Sequence, residues 1–329
     1  MKRVHVSPAI AAFTFAALLL VAAPLGATPF NQLVVVGDSL SDTGNVFALT
    51  GNTFPPSPPN FEGRFSNGPV WVEELALTLG LPAPAAYLGA ATSGRTNFAL
   101  GGAGTDLSGT TTGSIDMRTQ VGWLATDSSI TDLGDSLFVV RGGANDFLNN
   151  VLANPTTSVG NLVGIVNDLI GLGAESLLLP NLPPLDQTPE FRQTAAEGLA
   201  ANFSTVFNTS YAVAVDELRA DNPSVAFYYF DVYALLRQVL ADPIAFGFTN
   251  TIDRAFDGSS VVSNPDDYLY WDGVHPTRAG HAQLGAFAAD LFVPAPPVLL
   301  LLLPGLAFLL VRLRARHIDS ELMPVTAAT

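Results

Sequence analysis

The chain has 329 residues, 48% of them apolar and 13% charged, and no cysteine. That composition provides for a large core and excludes a disordered chain, a thiol nucleophile, a disulfide framework and a thiolate metal site. The net charge is −15, and residues 28–292 hold nine basic against 27 acidic side chains; so acidic a surface repels phosphate backbones, which speaks against nucleic acid as a partner.

The first segment in chain order is a leader. Lys2 and Arg3 open it, Ala9 to Ala23 is apolar, and Pro24, Gly26 and Ala27 supply small, helix-breaking residues. This is the pattern of a secretory signal over residues 1–27, with cleavage expected after Ala27 and an extracytoplasmic destination. An uncleaved anchor helix is the other reading of the same run.

Residues 28–292 contain no linker long enough to divide them and no obvious repeat, so they read as one domain. Gln32–Gly37, Ser136–Val140, Ser176–Leu179 and Val225–Phe230 are short apolar runs of strand character. Between them, Val159–Leu172 and Phe191–Ala220 carry apolar residues at helical spacing, the second ended by Asp221-Asn222-Pro223. Apolar strands alternating with helices predict a parallel sheet covered on both faces. In such sheets a site lies in the loops at the C-terminal strand ends. The loop Gly51–Pro69, rich in Pro and Asn, is placed to border a cleft.

The last element is again apolar. Val298–Val311 is Leu-rich and uncharged, and counted from Val293 the run has 19 residues, enough to cross a bilayer. Arg312, Arg314 and Arg316 follow at once and place that end in the cytoplasm. Pro294, Pro296, Pro297 and Pro304 fit a buried core helix poorly. The order Val-Pro-Ala-Pro, Leu-rich span, Arg cluster over 293–316 resembles the PEP-CTERM sorting signal of bacterial envelope proteins. It implies a membrane contact and a sorting or processing enzyme as partner; residues 317–329 form a short tail beyond it.

Four segments of the middle domain carry chemistry. Gly37-Asp38-Ser39-Leu40-Ser41-Asp42-Thr43-Gly44-Asn45 follows the first strand, where a tight turn exposes the Ser39 hydroxyl at the sheet edge; Ser41 is the next candidate. Asn97-Phe98-Ala99-Leu100-Gly101-Gly102-Ala103 ends in paired glycines, which let backbone approach a ligand closely. Gly142-Gly143-Ala144-Asn145-Asp146 ends another apolar strand and, alone, reads as a hairpin or loop. Trp271-Asp272-Gly273-Val274-His275-Pro276-Thr277 sets an Asp three residues before a His, close enough to orient the ring. Each is weak alone: strand-ending turns, glycine pairs and Asp-His neighbours are common.

Taken in this order, the four resemble the blocks of the SGNH hydrolases, the GDSL lipase/esterase family, from about Gln32 to Leu291. Pro180-Asn181-Leu182-Pro183-Pro184-Leu185 and Phe246-Gly247-Phe248-Thr249-Asn250 are similar to further family stretches. The resemblance implies a three-layer α/β/α sandwich with a mostly parallel, about five-stranded, flavodoxin-like sheet, and a serine esterase or lipase. Ser39 would be the nucleophile, His275 the general base and then acid, and Asp272 its orienting partner. The backbone N–H groups of Ser39 and Gly102 and the side-chain amide of Asn145 would form the oxyanion hole. Its substrates would be carboxylic esters, whether lipid, short-chain ester or acetylated sugar, and no cofactor or metal is called for. An acyltransferase using the same acyl-enzyme, and a non-catalytic envelope binding module, remain as alternatives. Asp38, Asp42 and Asp146 read as turn residues satisfying backbone groups rather than as metal ligands. His281, at the start of an apolar helix, reads as structural.

Overall fold

Side chains along β1 (Gln32–Gly37) alternate between two buried layers, with Leu33 and Val35 on one face and Val34 and Val36 on the other. The same holds for β2 (Ser136–Arg141), β3 (Ser176–Pro180) and β4 (Ala226–Phe230), which pair in parallel in the order β1-β2-β3-β4. A strand buried on both faces must be apolar throughout, which is why these segments read as runs rather than as alternating patterns. This computed structural model describes residues 30–105 and 115–292. The expected leader (1–27), the apolar C-terminal segment (293–316) and the tail (317–329) lie outside the described residues.

Among the described residues the helices are α1 (Asn45–Leu49), α2 (Trp71–Leu79), α3 (Met117–Thr126), α4 (Ala144–Asn149), α5 (Pro155–Gly171), α6 (Glu197–Asp221), α7 (Val232–Ala241) and α8 (Arg278–Asp290). One face of the sheet, through Val34, Val36, Phe138, Val140, Leu177 and Leu179, packs on α3, α5 and α6. The other, through Leu33, Val35, Leu137, Val139 and Leu178, packs on α2, α7 and α8. Each such side chain, fully buried, contributes about 1.5–3 kcal/mol by leaving water. The architecture is therefore α/β/α.

The sheet has four strands, not about five, and an extended segment lies along its β1 edge. Thr96–Leu100 runs parallel to β1: Val35 N–H donates to Thr96 O at 2.9 Å, Phe98 N–H to Val35 O at 2.8 Å, and Leu100 N–H to Gly37 O at 3.1 Å. This bonding puts the second chemical block beside the first. A separate parallel pair, β5 (Asn250–Arg254) with β6 (Tyr268–Tyr270), lies ahead of the fourth block.

Three features differ from the sequence pattern, the first being that α5 begins at Pro155, four residues before the run read from Val159, with Asn154 capping it by accepting the Thr156 N–H. The helix expected from Phe191 begins at Glu197. Gln193 stands at φ +59, outside helical space, and donates its N–H to Glu197 Oε2 at 3.0 Å, so the preceding turns are irregular. Gly142–Asp146 is neither hairpin nor plain loop; Ala144 opens α4, so Asn145 sits in its first turn.

Candidate active site

The sheet ends in a line of loops, and the first of them forms a sharp turn. Ser41 N–H donates to Asp38 O at 3.0 Å, closing a β-turn with Ser39 inside it. Asp38 Oδ1 accepts from Leu40 N–H at 3.1 Å and tightens the turn. Both Asp38 carboxylate oxygens also accept from Arg141 Nη1, at 2.6 and 2.7 Å, in an ion pair that is almost wholly buried. Arg141 ends β2 opposite Gly37 in the register, so the pair ties the turn to the neighbouring strand. Gln120 of α3 adds a clamp: its Oε1 accepts the Gly37 N–H and its Nε2 donates to the Gly37 carbonyl, both at 2.8 Å.

The last loop brings His275. Tyr270 and Pro276 form an antiparallel bridge, and Trp271 N–H donates to His275 O at 2.7 Å, so residues 271–275 are a closed loop. Inside it, Asp272 Oδ1 accepts the N–H groups of Val274 and His275 at 3.0 and 2.8 Å. Asp272 Oδ2 lies 2.8 Å from His275 Nδ1, and His275 Nε2 lies 2.7 Å from Ser39 Oγ. These partners assign the proton to Nδ1 and leave Nε2 to accept from the hydroxyl. Burial works to raise the Asp272 carboxyl. The neighbouring His275 and the hydrogen bonds from its ring and from two backbone N–H groups outweigh this and hold the group below the ordinary range.

Three hydrogen-bond donors border the Ser39 hydroxyl. Among the described residues, the backbone N–H groups of Ser39 and Gly102 have no acceptor in the protein. The Asn145 side chain donates one amide hydrogen to Ala103 O at 2.9 Å and keeps the other. Gly102 stands at φ +81, where a side chain would be strained. A Cβ on Gly101 would lie 2.4 Å from the Phe65 ring, so only glycine admits this contact.

All these groups open on a cavity of about 260 Å³, whose other walls include Leu40, Phe54, Phe65, Leu148, Pro183 and Val274. The Gly51–Pro69 loop borders it as expected, through Phe54 and Phe65. Phe65 stacks on the His275 ring with centroids 5.2 Å apart and planes inclined by 28°. The loop is bound to the base-bearing segment by Ser66 Oγ donating to Pro276 O at 2.9 Å and Trp271 Nε1 donating to Asn60 Oδ1 at 2.8 Å. Phe65, Arg141 and Gln120 carry no motif of their own, and nothing in the sequence singled them out.

The remaining candidates separate clearly. Asp42 Oδ1 accepts from the N–H groups of Gly44 and Asn45, and its Oδ2 from those of Val46 and Gly101. Burial pushes its carboxyl up to about 6, against these four bonds, which favour the charged form. Asp146 accepts from the backbone and hydroxyl of Thr105. Asp38 has the ion pair with Arg141 beyond its turn role. Ser41 is fully buried, and its Oγ accepts from Trp71 Nε1 at 3.0 Å. His281 is buried in α8, and its Nδ1 accepts from Trp71 N–H at 3.2 Å. Burial drives its ring down to about 3, so it stays neutral.

A family model described as GDSL-like Lipase/Acylhydrolase matches residues 33–287, which include every residue of this site. Acetylajmalan esterase 2 of Rauvolfia serpentina is 28% identical, over 78% of this chain and 88% of its own. Thermolabile hemolysin of Vibrio parahaemolyticus is 28% identical over 76% of this chain and 61% of its own. A phosphatidylcholine-sterol acyltransferase of Aeromonas hydrophila is 27% identical over 79% and 89%. Among solved structures, a carbohydrate acetylesterase from Sinorhizobium meliloti overlaps 79% of this chain and 98% of its own at 15% identity, with a TM-score of 0.44. With the family model spanning the domain from the first strand to the last helix, the chain belongs to the GDSL-like lipase/acylhydrolase family, a family of ester hydrolases and acyl-transferring enzymes.

Proposed function

We propose that the protein is an exported serine esterase that hydrolyses carboxylic esters through an acyl-Ser39 intermediate. The observation that carries this is the unbroken chain Ser39 Oγ, His275 Nε2, His275 Nδ1, Asp272 Oδ2, with gaps of 2.7 and 2.8 Å, at the mouth of a largely apolar cavity. A serine hydroxyl is inert until an adjacent base takes its proton. As Ser39 Oγ bonds to the ester carbonyl carbon, its proton passes to His275 Nε2, and Asp272 stabilises the resulting imidazolium. The carbonyl π electrons move onto oxygen, and the N–H groups of Ser39 and Gly102 and the Asn145 amide receive that charge. His275 then protonates the departing alkoxide. Water, deprotonated by the same ring, attacks the acyl carbon and returns Ser39 and a carboxylic acid.

Leu40, Phe54, Phe65, Leu148 and Val274 give the cavity walls that suit an apolar acyl or alcohol group better than a sugar. A series of p-nitrophenyl esters of increasing acyl length, run with and without an added alcohol acceptor, tests the reading. Free acid as the main product supports a hydrolase. Ester to the added alcohol as the main product would make the protein an acyltransferase, the activity named in the Aeromonas relative. No turnover of any ester would leave a binding module.

Replacing Asn145 by alanine is expected to lower kcat by about 10²–10³ with little change in KM, because a donor to the oxyanion acts mainly in the transition state. Steady-state kinetics decide the point: a variant altered mainly in KM would mean that Asn145 holds substrate instead.

Export rests on the pattern of residues 1–27, and membrane retention on the apolar run and arginines of 293–316. The described domain closes at Phe292, which packs edge-on against Phe30 at 5.5 Å and lies 4.6 Å from the Tyr228 ring. Deleting 293–329 is therefore expected to move the protein from the membrane to the soluble fraction with ester turnover retained. Fractionation and activity assay check this; an inactive or unfolded truncation would make the segment part of the core.

A further inference from the structure

The Asp42 carboxylate spans the two backbone segments that carry the proposed N–H donors. It lies three residues beyond Ser39, at the start of α1, and its Oδ1 binds Gly44 N–H at 2.8 Å and Asn45 N–H at 2.6 Å. Its Oδ2 binds Val46 N–H at 3.2 Å and reaches 59 residues along the chain to Gly101 N–H, at 2.9 Å. The carboxylate is fully buried, so no water competes for these bonds. Gly101 and Gly102 are the central residues of a turn closed by Ala103 N–H donating to Leu100 O at 3.0 Å. With Gly102 at φ +81 the turn has type II character. The peptide between two glycines can rotate, since neither has a side chain to hold it. In the rotated form the Gly102 N–H leaves the site and the Gly101 carbonyl replaces it. Van der Waals contact holds Gly101 on one side, and no atom lies within 4 Å of where a Gly102 Cβ would be. A directional bond at Gly101 is thus the restraint nearest to that peptide.

We propose that Asp42 is a positioning residue that sets the Gly102 N–H relative to the Ser39 N–H, and so gives the oxyanion site its two-sided geometry. Neighbouring bonds support the same junction. Asn45 Nδ2 donates to Asn97 O and Ala99 O, and Asn97 Nδ2 donates to Ser41 O. These hold the two segments side by side, while, among the described residues, Asp42 is the side chain hydrogen-bonded to the glycine pair. The proposal rests on the esterase reading for its kinetic consequence and on geometry alone for its structural one.

The test is Asp42→Asn, which keeps the shape but turns an N–H donor toward the N–H groups now bound. Expected are a fall in kcat of about 10- to 100-fold with KM within about threefold, and a matching loss of affinity for an arylboronic acid, whose Ser39 adduct is a tetrahedral anion. The amide resonances of Gly101 and Gly102 should shift in glycine-labelled protein. Unchanged kcat, or a change confined to KM, would overturn the proposal. If the variant does not fold, hydrogen exchange in the unmodified protein decides. A Gly101 N–H protected at least about 100-fold more than the Gly102 N–H supports the bond, and equal exchange of the two refutes it. That measurement needs no turnover, so a wild-type protein inactive on every ester would sink the esterase reading and leave the Asp42 restraint to be judged separately.

Discussion

Ser39→Ala is expected to reduce ester hydrolysis by at least about 10⁴-fold while the domain stays folded. The Oγ of Ser39 has its hydrogen-bond partner in His275, and the turn around it is held by backbone and by Asp38, so the substitution removes chemistry and little packing. What activity remains would come from the donors and the cavity alone. The neighbouring Ser41 offers no substitute nucleophile, because it is fully buried and engaged by Trp71. Turnover of a p-nitrophenyl ester, read beside a thermal unfolding curve, makes the comparison. A variant retaining more than about a tenth of wild-type turnover would remove Ser39 from the role.

The second large effect concerns acid stability and His281. Its ring titrates at about 3 in the folded protein, held down by burial and by the nearby charges of His275 and Arg141. In the unfolded chain it titrates near its ordinary value of about 6.5. Below that value the unfolded state binds a proton that the native state refuses. The stabilisation is therefore complete above pH 6.5 and is lost as pH falls toward 3. Asp42 acts in the opposite sense. Its raised pKa of about 6 makes the native state take up its proton first, so between about 6 and 4 it offsets the loss from His281. Asp42 and the other carboxyls titrate in both proteins, so the difference between a histidine variant and wild type isolates the His281 contribution. His281→Gln, which can still accept from Trp71 N–H, should gain about 3 kcal/mol relative to wild type between pH 7 and pH 4. Denaturant unfolding of both proteins at the two pH values measures the difference. Parallel pH dependences would mean that His281 is protonated in the native state.

The legible part of this molecule is what local pattern controls. The four strands of the main sheet begin within a residue of their apolar runs, because β1, β2 and β3 are buried on both faces and β4 is apolar and aromatic along its length. The chemical blocks stand at strand ends or beside them, so Ser39, Asn145, Gly102 and the Asp272-His275 pair could be named from motifs. The rest depends on contacts between residues far apart in the chain. Arg141 is an ordinary strand terminus until the fold brings it to Asp38, 103 residues away. Gln120 reaches Gly37 across 83 residues. Phe65 is one aromatic in a Pro-rich loop, and only the return of the chain at Pro276 sets it against His275. The late start of α6 turned on one dihedral, at Gln193, which no helical periodicity records.

The hydroxyl and the imidazole of the relay lie 236 residues apart in sequence. The Ser39 turn follows the first strand, while the ring comes just before α8, the last helix among the described residues, which packs on α2. No partial chain that stops short of His275 contains both. A polypeptide still emerging short of that point thus carries Ser39 with no His275 ring to face it. On the proposed reading, the site is complete only once the chain through His275 has been made and has folded back onto the end of the first strand.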